Sequence, residues 1–144
     1  DGIDAIVAMA PGHTPEDSRI REILDDDIRL AKAKVESGAG QYKIRFEDFD
    51  QGKKIPLEVP AANFLSWFDP KGKAVMGFNA PKIKNGTAFL WIAGKNDRIS
   101  NGKGKNIFNS VPPNPKSKFI HVEGGHKDVH KYGKEIIINW IKAL

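Results

Sequence analysis

Two residues of this 144-residue chain have the types and the placement that acid–base chemistry needs. Asp97 follows the apolar run Ala88-Phe89-Leu90-Trp91-Ile92-Ala93 by four positions, and His126 follows Phe119-Ile120-His121-Val122 by four. A carboxylate beside an imidazole fixes the ring tautomer and stabilises the imidazolium, so the ring can serve as a general base. Gly124-Gly125 permits the sharp turn that would bring His126 into a cleft. Taken singly, Asp97 reads as a turn or helix cap and His126 as a histidine of a surface loop. Their shared placement is what points to a site. His13 lies just past a third apolar run, Ala5 to Ala10, so three titratable residues follow the ends of three core segments.

The elements that must position these residues follow from periodicity. Ala5 to Ala10 is continuous rather than alternating, which predicts a strand covered on both faces, stopped by Pro11-Gly12. Thr14 as a cap and Pro15 in the first turn predict a helix with the apolar stripe Ile20, Leu24, Ile28, Ala31 and Val35. Gly38 and Gly40 end it, and its expected role is to pack on a sheet. From Tyr42 to Val59 the period becomes two, around Asp50-Gln51-Gly52-Lys53, which predicts a β-hairpin kept at an edge by Pro56 and Pro60. Phe64, Leu65, Trp67 and Phe68 predict a short helix over 60–68. Gly102, Gly104 and Pro112-Pro113-Asn114-Pro115 leave room for only a short helix between 99 and 117. The last segment reads as a helix with Val129, Tyr132, Ile136, Ile137, Trp140, Ile141 and Leu144 on one side.

Strands alternating with helices predict an α/β fold with a parallel sheet, in which ligands bind past the carboxyl ends of the strands. The expected organisation is a single, partial α/β domain over 1–144, with 42–87 as a cap-like insertion. The composition, 40% apolar and 28% charged, is that of a globular chain. With no cysteine, disulfides, thiolate metal sites and a cysteine nucleophile are excluded. The longest apolar run is too short to span a bilayer. Residues 1–72 hold 10 basic and 14 acidic side chains, and residues 73–144 hold 13 and 4. The lysines of the basic half are scattered and lack interleaved aromatics, so nucleic acid is not expected. His126 and His130 are spaced i, i+4 without an H-E-x-x-H acid, and no P-loop is present, so neither a metal nor a nucleotide is expected.

Three segments together resemble the α/β-hydrolase family of serine esterases and dienelactone-hydrolase-like enzymes. Phe89 to Ile99, FLWIAGKNDRI, resembles the strand and turn that carry the triad acid. Lys118 to His126, KFIHVEGGH, resembles the last strand and catalytic histidine. Asp4 to His13 resembles the strand after the nucleophile helix. The resemblance covers the chain as the C-terminal half of that fold and implies a Ser-Asp-His triad with Asp97 and His126 as two members. None of Ser18, Ser37, Ser66, Ser100, Ser110 and Ser117 has glycine at both −2 and +2, so none fits the family's G-x-S-x-G elbow. The nucleophile is therefore expected upstream of Asp1, together with the oxyanion hole, and the chain reads as part of a longer protein. The resemblance implies cleavage of an ester or related acyl bond in a small molecule, no cofactor, and inactivity of this chain alone. His13, Ile99, Phe64 and Phe68 are candidates to line an acyl pocket, although aromatics at that spacing also suit a core. Expected partners are the protein's own N-terminal part or a second copy. Localisation stays open, since any export signal would lie upstream. The alternative is a non-enzymatic module that binds an anion or acidic partner through Lys95, Arg98, Lys103 and Lys105.

Overall fold

In the computed structural model, residues 2–50 and 52–144 are described, without the side chains of Asp50, Ile99 and Asn101. The chain forms two compact units, Asp1–Gly12 with Gly77–Leu144, and His13–Met76.

The first unit is a three-stranded parallel sheet in the order β1 (Ala5–Met9), β4 (Ala88–Gly94), β5 (Lys118–Val122). β1 pairs with β4 in the register Ala5 to Ala88 through Met9 to Ile92, and β4 pairs with β5 from Leu90 opposite Lys118 to Gly94 opposite Val122. Every residue of the central β4 is buried, as its unbroken apolar run requires. α4 (Arg98–Ser110) and α5 (Val129–Lys142) flank the sheet. Ala88, Leu90 and Ile92 cluster with Val122, Val129 and Trp140, joined by Val7, Ile120, Ile136 and Ile137. The alternate residues Phe89 and Trp91 face an aromatic set, in which Trp91 stacks on Phe119 with ring centroids 6.0 Å apart and Phe89 lies 6.0 Å from Phe108.

Two glycines let the helices approach. A Cβ at Gly104 would lie 2.5 Å from the Trp91 ring, and one at Gly133 would lie 2.8 Å from the Ile92 δ-methyl. This corrects one expectation: α4 runs for 13 residues through Gly102 and Gly104, because Gly104 is needed for close packing and is not a helix end. A second correction concerns the last segment: in α5 Tyr132 and Ile141 are exposed, as is Leu144 beyond its end, and the buried side is Val129, Gly133 and Trp140.

In the second unit α1 (Ser18–Glu36) packs against the antiparallel hairpin β2 (Lys43–Asp50) and β3 (Lys53–Pro60), and against α2 (Ala61–Phe68). Its core is Leu24, Ile28, Ala31, Phe46, Ala61, Phe64 and Phe68. The sheet that α1 covers is thus the hairpin within its own unit, and Phe46, Ala61, Phe64 and Phe68 of the expected insertion share a core with α1. Asp27 of α1 accepts the backbone N–H of Glu47 at 2.7 Å, tying helix to strand. α1 begins at Ser18, not at Thr14: Thr14 to Asp17 closes a turn, and the Asp17 carboxylate accepts the Arg19 N–H at 3.0 Å as the cap. At the other end Gly38 takes φ +78°, the left-handed conformation that follows many helices. The four-residue α3 (Met76–Asn79) lies at the boundary of the units. Among the described residues, no helix is long and apolar enough to cross a membrane.

Candidate functional site

The site lies in the first unit, where β4 and β5 both end. β4 finishes at Gly94, and the chain turns at once, with the Asp97 N–H donating to the Gly94 carbonyl at 3.0 Å. β5 finishes at Val122 and enters Glu123-Gly124-Gly125. Backbone bonds lace the two loops together. The Lys95 N–H donates to the Val122 carbonyl at 2.8 Å, and the Asn96 N–H to the Gly124 carbonyl at 3.0 Å. Closeness of this kind leaves no room for a side chain at Gly94: a Cβ there would lie 2.5 Å from the Gly124 carbonyl oxygen and 2.6 Å from that of Gly125.

The His126 loop is shaped by Gly124 and Asp128. Gly124 has φ +87°, and a Cβ on it would meet the Asp128 side chain at 2.6 Å. The Asp128 carboxylate accepts the Gly125 N–H at 2.8 Å, closing a single tight turn, His126–Asp128, that leads into α5. His126 is thereby presented at the start of that helix, above the end of β5.

Asp97 and His126 meet. His126 Nδ1 lies 3.0 Å from Asp97 Oδ2. The Asp97 side chain is 0% exposed and that of His126 36% exposed, so a buried acid orients a base that reaches solvent. An ionised carboxylate can only accept, so in the neutral ring this contact calls for the proton on Nδ1 and leaves the lone pair on Nε2. A buried charge must be well hydrogen-bonded to be tolerated. Asp97 meets that demand partly through Ser100, whose N–H donates to Oδ1 at 3.1 Å and whose hydroxyl donates to Oδ2 at 2.5 Å. Asp97 is therefore also the N-cap of α4, so the capping reading and the pairing reading are both realised in one residue. The sequence reading did not single out Ser100. The spacing Asp-x-x-Ser at a helix start puts the serine near the cap, but does not tell whether it faces solvent or the carboxylate.

The other candidates have the following surroundings. His13, in the second unit, donates from Nε2 to the Trp67 carbonyl at 2.7 Å, which satisfies a backbone acceptor in the last turn of α2. Its ring stands edge-on to Trp67 and Phe68, with centroids 4.8 and 5.5 Å away. Phe64 is buried and stacked on Phe46 at 4.2 Å, and Phe68 is buried beside Phe64. Ile99 falls in the first turn of α4, and its side chain is outside the described residues. Of the serines in this unit, Ser100 bonds Asp97 and not the imidazole. Ser117 precedes β5, the end opposite His126, and accepts the Phe89 N–H. Ser110 closes α4 at the end away from Asp97, with its hydroxyl on the Ile107 carbonyl. His121 and His130 are exposed. Among the described residues no group of three or more His, Asp or Glu is placed to hold a metal ion.

No protein-family model, curated protein or solved structure matches this chain.

Of the basic residues, Lys95 is ion-paired with Glu123, and Lys105 lies over the rings of Phe108 and Phe119, 5.3 and 4.7 Å from their centroids. The turn of Lys95, Asn96, Asp97 and Arg98 lines a shallow, open depression.

Proposed function

We propose that this chain supplies the acid and the base of a serine hydrolase that cleaves an ester or related acyl bond. The observation that carries the reading is the bond from His126 Nδ1 to a fully buried Asp97 past the ends of two adjacent parallel strands. The strand order β1-β4-β5 supports it, since the resemblance to α/β-hydrolases puts the acid and histidine strands side by side, next to the strand at Asp4.

In this reading a serine from outside residues 1–144 attacks the acyl carbon. His126 Nε2 takes the serine proton as the C–O bond forms. Asp97 holds the ring in its Nδ1–H tautomer and stabilises the imidazolium. The imidazolium then returns its proton to the leaving oxygen as the acyl–oxygen bond breaks. Water, deprotonated by the same Nε2, releases the acid and regenerates the serine. Neither the nucleophile nor an oxyanion hole belongs to this chain, so the 144 residues alone are inactive. The pairing of Lys95 and the aromatic packing of Lys105 weigh against the anion-binding alternative.

The test is turnover of short-chain p-nitrophenyl esters by the protein extended upstream through the strand that precedes β1. The expected result is activity that Asp97→Asn and His126→Ala abolish, with none from residues 1–144 alone. Activity untouched by both substitutions, or an upstream coding sequence without a G-x-S-x-G elbow, would contradict the reading.

A further inference from the structure

We propose that Ser100 is a positioning residue for the Asp97–His126 pair, an inference that rests on the hydrolase reading above and extends it to a third side chain. An aspartate carboxylate turns about two side-chain bonds, and burial alone does not choose which oxygen faces a neighbour. Ser100 grips both. Its backbone N–H holds Oδ1 at 3.1 Å and its hydroxyl holds Oδ2 at 2.5 Å, which fixes the plane of the group. Oδ2 is left with its other lone pair toward His126 Nδ1 at 3.0 Å. Ser100 is placed for this by helix geometry. It sits three residues after the capping Asp97, in the first turn of α4, and is 1% exposed. Buried there, the hydroxyl is shielded from water, and the carboxylate it touches is itself fully buried.

The two contributions of Ser100 are separable. Ser100→Ala keeps the N–H that caps the helix and deletes only the grip on Oδ2. The consequence is a carboxylate less firmly oriented and an imidazole with weaker preference for the Nδ1–H form. A purely structural serine would change stability and leave the tautomer alone.

The experiment is a long-range proton–nitrogen spectrum of the imidazole rings in 15N-labelled protein, which reads the tautomer from carbon-bound protons. His126 is assigned by comparison with His126→Gln. The expected result is the Nδ1–H form in the parent, a growing share of Nε2–H in Ser100→Ala, and restoration in Ser100→Thr. Ser100→Cys, close in size but a weaker donor, is expected to fall between. It also serves if the alanine variant does not fold. A folded Ser100→Ala or Ser100→Cys variant with the parent's tautomer overturns the role of Ser100 and leaves the Asp97–His126 pair standing. A parent in the Nε2–H form overturns both. In the extended, active protein the same substitution should lower kcat and leave KM unchanged. A change in KM alone would also contradict the assignment.

Discussion

Asp97 has two duties, and they predict different losses. As the cap of α4 and the partner of two buried donors it stabilises the first unit, so Asp97→Ala should cost about 1–3 kcal/mol in chemical denaturation. Asp97→Asn retains the shape and an oxygen for the Ser100 N–H, so the stability loss should be smaller. Its amide, however, presents a donor where His126 Nδ1 needs an acceptor, which favours the wrong tautomer. In the extended protein, ester turnover should then drop by about 1,000- to 10,000-fold with the protein still folded. Equal turnover in a folded Asp97→Asn protein would show that the pair is not acting as acid and base. At this scale the sequence was informative where spacing carried the signal. Asp97 and His126 each trail an apolar run by four residues, and that offset alone placed them together. Ser100 was not legible in the same way, because a serine in a first helical turn looks the same whether it faces solvent or a buried carboxylate. Phe64 and His13 were suggested as pocket residues by type. The core contact with Phe46 and the bond to the Trp67 carbonyl depend on partners that local pattern does not name.

The elements around the site are held close by glycines whose need is set by distant neighbours. Gly94→Ala would drive a methyl into the carbonyls of Gly124 and Gly125, so the two loops must separate. We expect a loss of about 1–3 kcal/mol from such overpacking, and a weakened Asp97–His126 contact, seen as a change in the His126 tautomer. α4 offers an internal comparison. Gly102 has open space where a Cβ would go, so Gly102→Ala should stabilise by up to about 1 kcal/mol through helix propensity. Gly104→Ala, two residues on, would strike the Trp91 ring and should destabilise. Thermal unfolding of the two variants should move Tm in opposite directions, and a shift of the same sign would refute the packing described for α4. The sequence suggested a helix too short here because both glycines read as breakers, when one is a packing requirement. The stripe of α1 was legible from its period of three to four residues as far as Ala31, whereas Val35, one turn on, is exposed. That the stripe covers the hairpin in its own unit was not legible, since an apolar stripe does not identify which sheet it meets.

At the scale of the whole molecule, the described residues of the first unit form three strands, and β1 is one of the edges. The strand Ala5–Met9 has no lysine, proline or other charge to discourage pairing, and Met9 and the preceding Ile3 are exposed. Such an edge invites another strand, for example from a second copy. Size-exclusion chromatography with light scattering should therefore show association of the isolated chain. A monodisperse species at the 15.9 kDa chain mass would contradict that expectation. The parallel α/β class was legible from unbroken apolar runs alternating with helical segments. The division into two units was not, because it depends on which cores the elements share. The hydrolase proposal makes its sharpest demand on the nucleophile, which must be a serine outside these residues but within reach of His126 Nε2. The direct measurement is reaction of the upstream-extended protein with a serine-directed fluorophosphonate, followed by mass-spectrometric mapping of the modified residue. The account predicts one modified serine N-terminal to Asp1, at a G-x-S-x-G elbow, and loss of labelling in His126→Ala. Stoichiometric modification of Ser18, Ser37, Ser66, Ser100, Ser110 or Ser117, or labelling that survives the loss of His126, would contradict it.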